Sequence, residues 1–164
     1  MEELDKKYLR WVQMVQWEAF SLYWMSNLIL WFPWSFSPHL GMILMLTLGT
    51  FIWAWGGFHA IKRFPGESLY KAALIVAILF VSISVFMDYI FFDVIRNAAE
   101  DLYQPTTYYG YAFVAAIPFL EVLMLNKHLQ VKKLVLKKGL ILYGVPGIIS
   151  IILLALIILL DIKL

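Results

Sequence analysis

The sequence predicts an all-α integral membrane protein, a bundle of five transmembrane helices with the N-terminus cytoplasmic and the C-terminus outside. Three observations carry this. The chain is 63% apolar and only 15% charged, against roughly half and a quarter in soluble domains. A chain of 164 residues with that composition would expose far more apolar surface than water tolerates. Five stretches are apolar enough to cross the hydrocarbon core, which takes about 20 helical residues. The basic residues fall almost wholly on one side of those stretches.

The spans follow in order within a single transmembrane domain, 1–164. The first, 8–34, is the least regular, because Gln13, Gln16 and Glu18 interrupt it. A single long helix shielded by neighbours is the preferred reading, over an interfacial helix leading into a short span. The second, 41–61, is clean. The third is 69–95, the fourth 107–125, and the fifth, 139–160, is the most apolar. Phe36-Ser37-Pro38, Phe64-Pro65-Gly66 and Gln104-Pro105-Thr106 are breaker signals between them. Gly41, Gly49, Gly56 and Gly57 in the second span, and Gly144, Gly147 and Ser150 in the fifth, form small faces for close helix packing. Pro118 and Pro146 remove backbone hydrogen bonds and are expected to kink their helices.

Five spans put the N-terminus and the second and fourth loops on one side. Lys6, Lys7, Arg10, Lys62, Arg63, Lys71, Lys127, Lys132, Lys133, Lys137 and Lys138 all lie there, and only Arg96 and Lys163 lie opposite. The excess of cations marks the cytoplasmic side. Trp31, Trp34, Phe36, Tyr103, Tyr108, Tyr109 and Tyr111 read as aromatic anchors at the outer surface. Trp11, Trp17, Trp53 and Trp55 read as the inner ones. No small-residue cleavage site follows the first apolar run, so no removable signal peptide is expected.

Function has to sit at polar groups within the spans, because each costs a few kcal/mol to insert and faces protein or water. Four candidates stand out: Asp88, Asn27, Glu18 and Glu121. At 1.5 Å per residue, Glu18 lies roughly 15 Å along its helix, Asp88 roughly 10 Å from the outer end and Glu121 roughly 6 Å from the inner end. That depth makes Glu121 more interfacial than buried, within reach of Lys127 and His128. Asn27 and Asp88 are placed in one outer layer, with Ser84 one turn from Asp88 on the same face. Glu18 points about 180° away from Asn27. Asp93, Arg96 and Glu100 are spaced as a charge cluster at an outer helix end. His59 and His128 can meet at the inner side, but two histidines are thin grounds for a metal, and no metal or cofactor is expected.

With no cysteine, disulfides, thiolate metal sites and thiol catalysis are excluded. No phosphate loop, metalloprotease motif or triad pattern occurs, so the sequence leans away from an enzyme. Two functions remain. One is a carrier or channel-like protein with a polar path for a proton, cation or small solute. The other is a non-catalytic accessory subunit packed in a homo-oligomer or larger membrane complex. A net charge of +2 implies no nucleic-acid partner. Lys132, Lys133, Lys137 and Lys138, interleaved with apolar residues, are expected to contact anionic headgroups of the cytoplasmic membrane face.

Overall fold

A computed structural model describes residues 2–97, 99–102, 104–129 and 139–159, and among these every regular element is helical. Helix α1 (Glu2–Phe36) is one continuous rod of 35 residues. Pro33 lies inside it, so the helix runs on to the breaker at Ser37. There the Ser37 hydroxyl accepts from the Leu40 amide, and Pro38 takes the first position of α2 (Pro38–Leu44). This is the geometry proline favours, since its missing N–H has no intrahelical partner there in any case. A π-helical turn, Met45–Gly49, joins α2 to α3 (Thr50–Lys62). Thr47 and Thr50 donate their hydroxyls to the carbonyls of Ile43 and Leu46, at 2.7 and 2.9 Å, and so brace the widened turn.

Arg63 ends α3, and the Pro65-Gly66 loop leads to Ser68, whose hydroxyl caps α4 (Leu69–Asp88) by accepting from the Lys71 amide. A second π-helical turn, Tyr89–Ile95, continues α4. After it Asn97 takes a positive φ of 50°, a conformation asparagine tolerates better than most residues. The short α5 (Ala99–Leu102) precedes α6 (Pro105–Leu129), and α7 (Gly139–Leu159) completes the fold. Proline does not mark the irregularity in α6. The non-helical residue is Leu125 (φ −116°, ψ 18°), not Pro118.

Three helical stretches are long and apolar enough to cross a membrane: His39–Lys62, Leu69–Ile95 and Pro105–Leu129. Tyr143–Leu159 is a shorter apolar helix, and α1 carries too many polar residues to qualify by composition.

Helix α1 is the hub. It packs along α7, α2, α3 and α4, while α6 lies against α4 and α3. The Trp11 indole donates to the Ala60 carbonyl at 2.8 Å and pins α1 to the end of α3. Trp11, Val15, Ile61, Phe64, Val76 and Phe80 build the main core, and Trp24, Phe91 and Leu154 form a second one toward the other end. Trp11 and Trp53 are therefore core residues and not interfacial anchors as their positions predict. Trp17 and Trp55 stay exposed. Helix α7 packs on α1 through Gly144, Gly147, Ser150 and Leu154, the small face expected of it. A Cβ on Gly147 would stand 2.9 Å from the Ser21 Cα, so the two backbones touch. The rest of the exterior is a sheath of exposed apolar side chains such as Phe51, Ile78, Val94, Leu123 and Ile152.

Candidate functional site

The four sequence candidates separate into two places. Asp88 sits where α4 passes into its π-helical turn. It is buried, and both of its oxygens are occupied. The Tyr23 hydroxyl of α1 donates to Oδ1 at 2.6 Å, and the Tyr111 hydroxyl of α6 donates to Oδ2 at 2.5 Å. One carboxyl thus ties three helices together. Asn27 does not join Asp88 directly. Its amide donates to the Tyr23 backbone carbonyl at 3.1 Å, one turn back on the same helix. Ser84, one turn from Asp88, is buried with its hydroxyl unpartnered. Tyr111, read as a surface anchor from sequence, instead turns inward to serve Asp88.

Glu18 and Glu121 lie apart from that clamp and near each other. The route to this runs through α3. On α1, Leu22 fills the space left by Gly56, and Trp11 bonds the Ala60 carbonyl, so Glu18 falls level with the turn 56–60 between them. On α6, the Glu121 carboxyl lies where Gly57 has no side chain. An added Cβ at Gly57 would stand 2.5 Å from Oε2. Both glutamates therefore border one turn of α3, and Glu18 lies in the fields of Arg63 and of Glu121. That turn is five residues before Lys62, about 7.5 Å along the helix. Glu121 is 6% exposed and Glu18 is 4% exposed. The interfacial position expected for Glu121 is thus replaced by a buried one. Helix α6 runs on to Leu129, so Glu121 lies eight residues from its end, about 12 Å, and α3 packs over it at Gly57.

Neither oxygen of Glu121 meets a hydrogen-bond partner, although the Phe58 backbone amide is close by, and Oε2 of Glu18 meets none either. Arg63 is half-buried, one of its terminal nitrogens is likewise unpartnered, and its guanidinium lies 5.2 Å from the centre of the Tyr143 ring of α7. Buried polar atoms in native proteins are nearly always paired, and an unpaired buried carboxylate costs several kcal/mol. Four such atoms, on Glu18, Glu121 and Arg63, lie along the C-terminal half of α3 and its cap.

Tyr143 is fixed from the other side by Ser21. The Ser21 hydroxyl donates to the Tyr143 carbonyl and accepts from the Gly147 amide at 3.2 Å. Those two backbone groups are four residues apart, the pair that closes a turn of helix. Ser21 thus inserts into the ladder of α7 beside Pro146, a recognised cause of bending.

His59 and His128 lie in different surroundings. His59 packs against Trp55 and Phe58, with ring centres 4.5 and 5.7 Å away, and His128 is exposed. Arg96 spreads over the rings of Phe91 and Phe92. No group of three or more metal-ligating side chains occurs among the described residues. Lys132, Lys133, Lys137 and Lys138 lie outside the described residues. Arg63 and Gly57 were missed by sequence reasoning: the arginine reads as one more inner cation and the glycine as a packing residue. Only the packing that sets Gly57 against the Glu121 carboxyl and Arg63 in the field of Glu18 reveals the site. No family model matches the chain, and no curated protein or solved structure is similar to it.

Proposed function

We propose that this chain is a five-span membrane protein, N-terminus cytoplasmic, that binds and exchanges a proton at the Glu18–Glu121 site in a carrier- or channel-like role. One observation carries the reading: two buried glutamates from different helices border one turn of α3, with Arg63 in the field of Glu18, and Oε2 of Glu18 and both oxygens of Glu121 lack hydrogen-bond partners. Two carboxylates and one guanidinium leave one negative charge over, and desolvation disfavours keeping it. A proton neutralises it. Intramembrane carboxylates of this kind mark ion pathways and proton relays. The apolar exterior and the one-sided distribution of cations support the membrane setting and its orientation. Asp88 belongs to the scaffold in this reading, since its two oxygens are already served by tyrosines.

The test is reconstitution in proteoliposomes with a trapped pH indicator. An imposed pH gradient is expected to decay faster than in protein-free vesicles, and Glu121→Gln and Glu18→Gln are expected to remove the difference. Asp88→Asn is expected to keep it. Decay indifferent to both glutamates would overturn the proposal.

A second reading, an accessory subunit of a larger membrane complex, is favoured by α7. Its surface away from α1 is open and apolar along Ile148, Ile152 and Leu159. The native mass of the gently solubilised particle separates the two. A single-chain particle supports the carrier, and a large particle with other chains supports the subunit.

A further inference from the structure

The number and kind of orphaned atoms at the glutamate pair point beyond a proton alone. We infer that the site takes one alkali-metal cation in competition with a proton, so that the two exchange there. This rests on the proton-binding reading above and names its second ligand.

Three acceptor oxygens are left without partners: Oε2 of Glu18 and both oxygens of Glu121. A single proton shared between two of them leaves the third orphaned. A cation seated between the two carboxyls would meet all three. Charge selects its valence. With both glutamates ionised and Arg63 in the field of Glu18, the local charge is one unit negative, so a monovalent ion neutralises it. A divalent ion would leave a surplus positive charge in a desolvated place. Donor chemistry selects its class. Carboxylate oxygens are hard ligands, and the chain has no thiol. His59 is occupied by its aromatic neighbours. Transition metals therefore lack the soft or imidazole ligands they favour.

The surroundings are consistent with one exchangeable charge. Glu18 and Glu121 face the site from α1 and α6, His59, Lys62 and Arg63 lie on the α3 side, and Tyr143 comes from α7. Helix α4 carries no titratable group between Lys71 and Asp88. Gly57 sets the position of the Glu121 carboxyl, because any side chain there would overlap Oε2. The exchange balances: a proton arriving on one carboxyl cancels the charge that held the cation, and the cation leaves.

Equilibrium binding of radiolabelled sodium to the purified protein in neutral-lipid nanodiscs tests this, with choline as the control cation. Binding of one sodium per chain at pH 8, displaced as the pH is lowered to 5, is the expected result. Glu121→Gln is expected to abolish it. Gly57→Ala, which keeps both carboxyls, is expected to weaken it about tenfold, the usual effect of disturbing a ligand's support. Asp88→Asn is expected to leave it unchanged. If Glu121→Gln fails to fold, as judged by elution and helicity, Gly57→Ala and the pH competition decide. A protein that passes protons but binds no sodium overturns this inference and leaves the proton reading standing. A protein that does neither removes both. Sodium binding that survives both the Gly57 and Glu121 substitutions also overturns it, because the ion then sits elsewhere.

Discussion

At the scale of the residue, the two acid sites differ in whether their hydrogen bonds are made. Asp88 accepts from Tyr23 and Tyr111, so its contribution is mechanical. Each tyrosine hydroxyl removed is expected to cost about 0.6 to 2 kcal/mol, the range of interhelical hydrogen bonds in membranes. Tyr23→Phe and Tyr111→Phe are predicted to lower the unfolding midpoint in detergent, and Asp88→Leu to lower it further. The double mutant Tyr23→Phe/Tyr111→Phe should be less than additive relative to Asp88→Leu, since both act through one carboxyl. Full additivity would mean that the tyrosines are held independently. Glu121 behaves in the opposite way. Because its oxygens are orphaned, Glu121→Gln is expected to stabilise the fold in the absence of ligand by removing a charge that burial opposes. A lower midpoint for this variant, with no ion added, would contradict that.

At the scale of the element, α7 is joined to the bundle through α1, and the join depends on small residues. Gly147→Leu cannot be accommodated, since even a Cβ would stand 2.9 Å from the Ser21 Cα. It is predicted to separate α7 from α1. A disulfide engineered between cysteines at Phe20 and Gly147 is not a usable probe for that variant, so the pair Trp17 and Gly144 serves instead. These two are in contact range in the parent fold. Efficient cross-linking there should be lost on Gly147→Leu, and its persistence would show that α7 has another anchor. Ser21→Ala is the milder change. It removes a hydroxyl bonded to both Tyr143 and Gly147, with an expected cost of about 1 kcal/mol. The basic stretch before α7 is predicted to hold anionic lipid, each lysine contributing about 1 kcal/mol near the surface. Replacing Lys132, Lys133, Lys137 and Lys138 by glutamine should weaken vesicle binding as the share of anionic lipid rises. Unchanged binding would reduce the stretch to a connector.

At the scale of the whole molecule, the proposed five-span arrangement makes a labelling prediction that needs no background correction, because the chain has no native cysteine. Cysteines at Ser37 and Thr106 should react with an impermeant reagent from outside. One at Gly66 should react only after permeabilisation. Outside labelling at Gly66 would overturn the proposed orientation. The hub position of α1 bears on the same point. Gln13 and Gln16 remain exposed, while Glu18, Ser21 and Tyr23 are covered by neighbouring helices. The polarity that weakens α1 as a span by composition is thus partly spent inside the bundle.

Much of this was legible in the chain itself. Runs of apolar residues broken at Ser37-Pro38, Pro65-Gly66 and Gln104-Pro105 placed the long helices within a few residues, since helical length and breaker chemistry are local properties. Gly144, Gly147 and Ser150 recur at helical spacing, and one face of α7 could be read from that alone. The low tolerance of apolar surroundings for carboxyls singled out Glu18, Asp88 and Glu121. What the sequence could not decide is which of these acids has its bonds made. Tyr23 and Tyr111 lie 65 and 23 residues from Asp88, and only the packing of α1 and α6 against α4 brings their hydroxyls to its two oxygens. Glu121 looked interfacial because depth along a helix is a one-dimensional measure, whereas burial depends on the neighbours, and the missing side chain of Gly57 lets α3 close over it. The nearness of Glu18 to Glu121 has the same origin, since residues more than a hundred positions apart approach each other only because α1 and α6 both pack against α3.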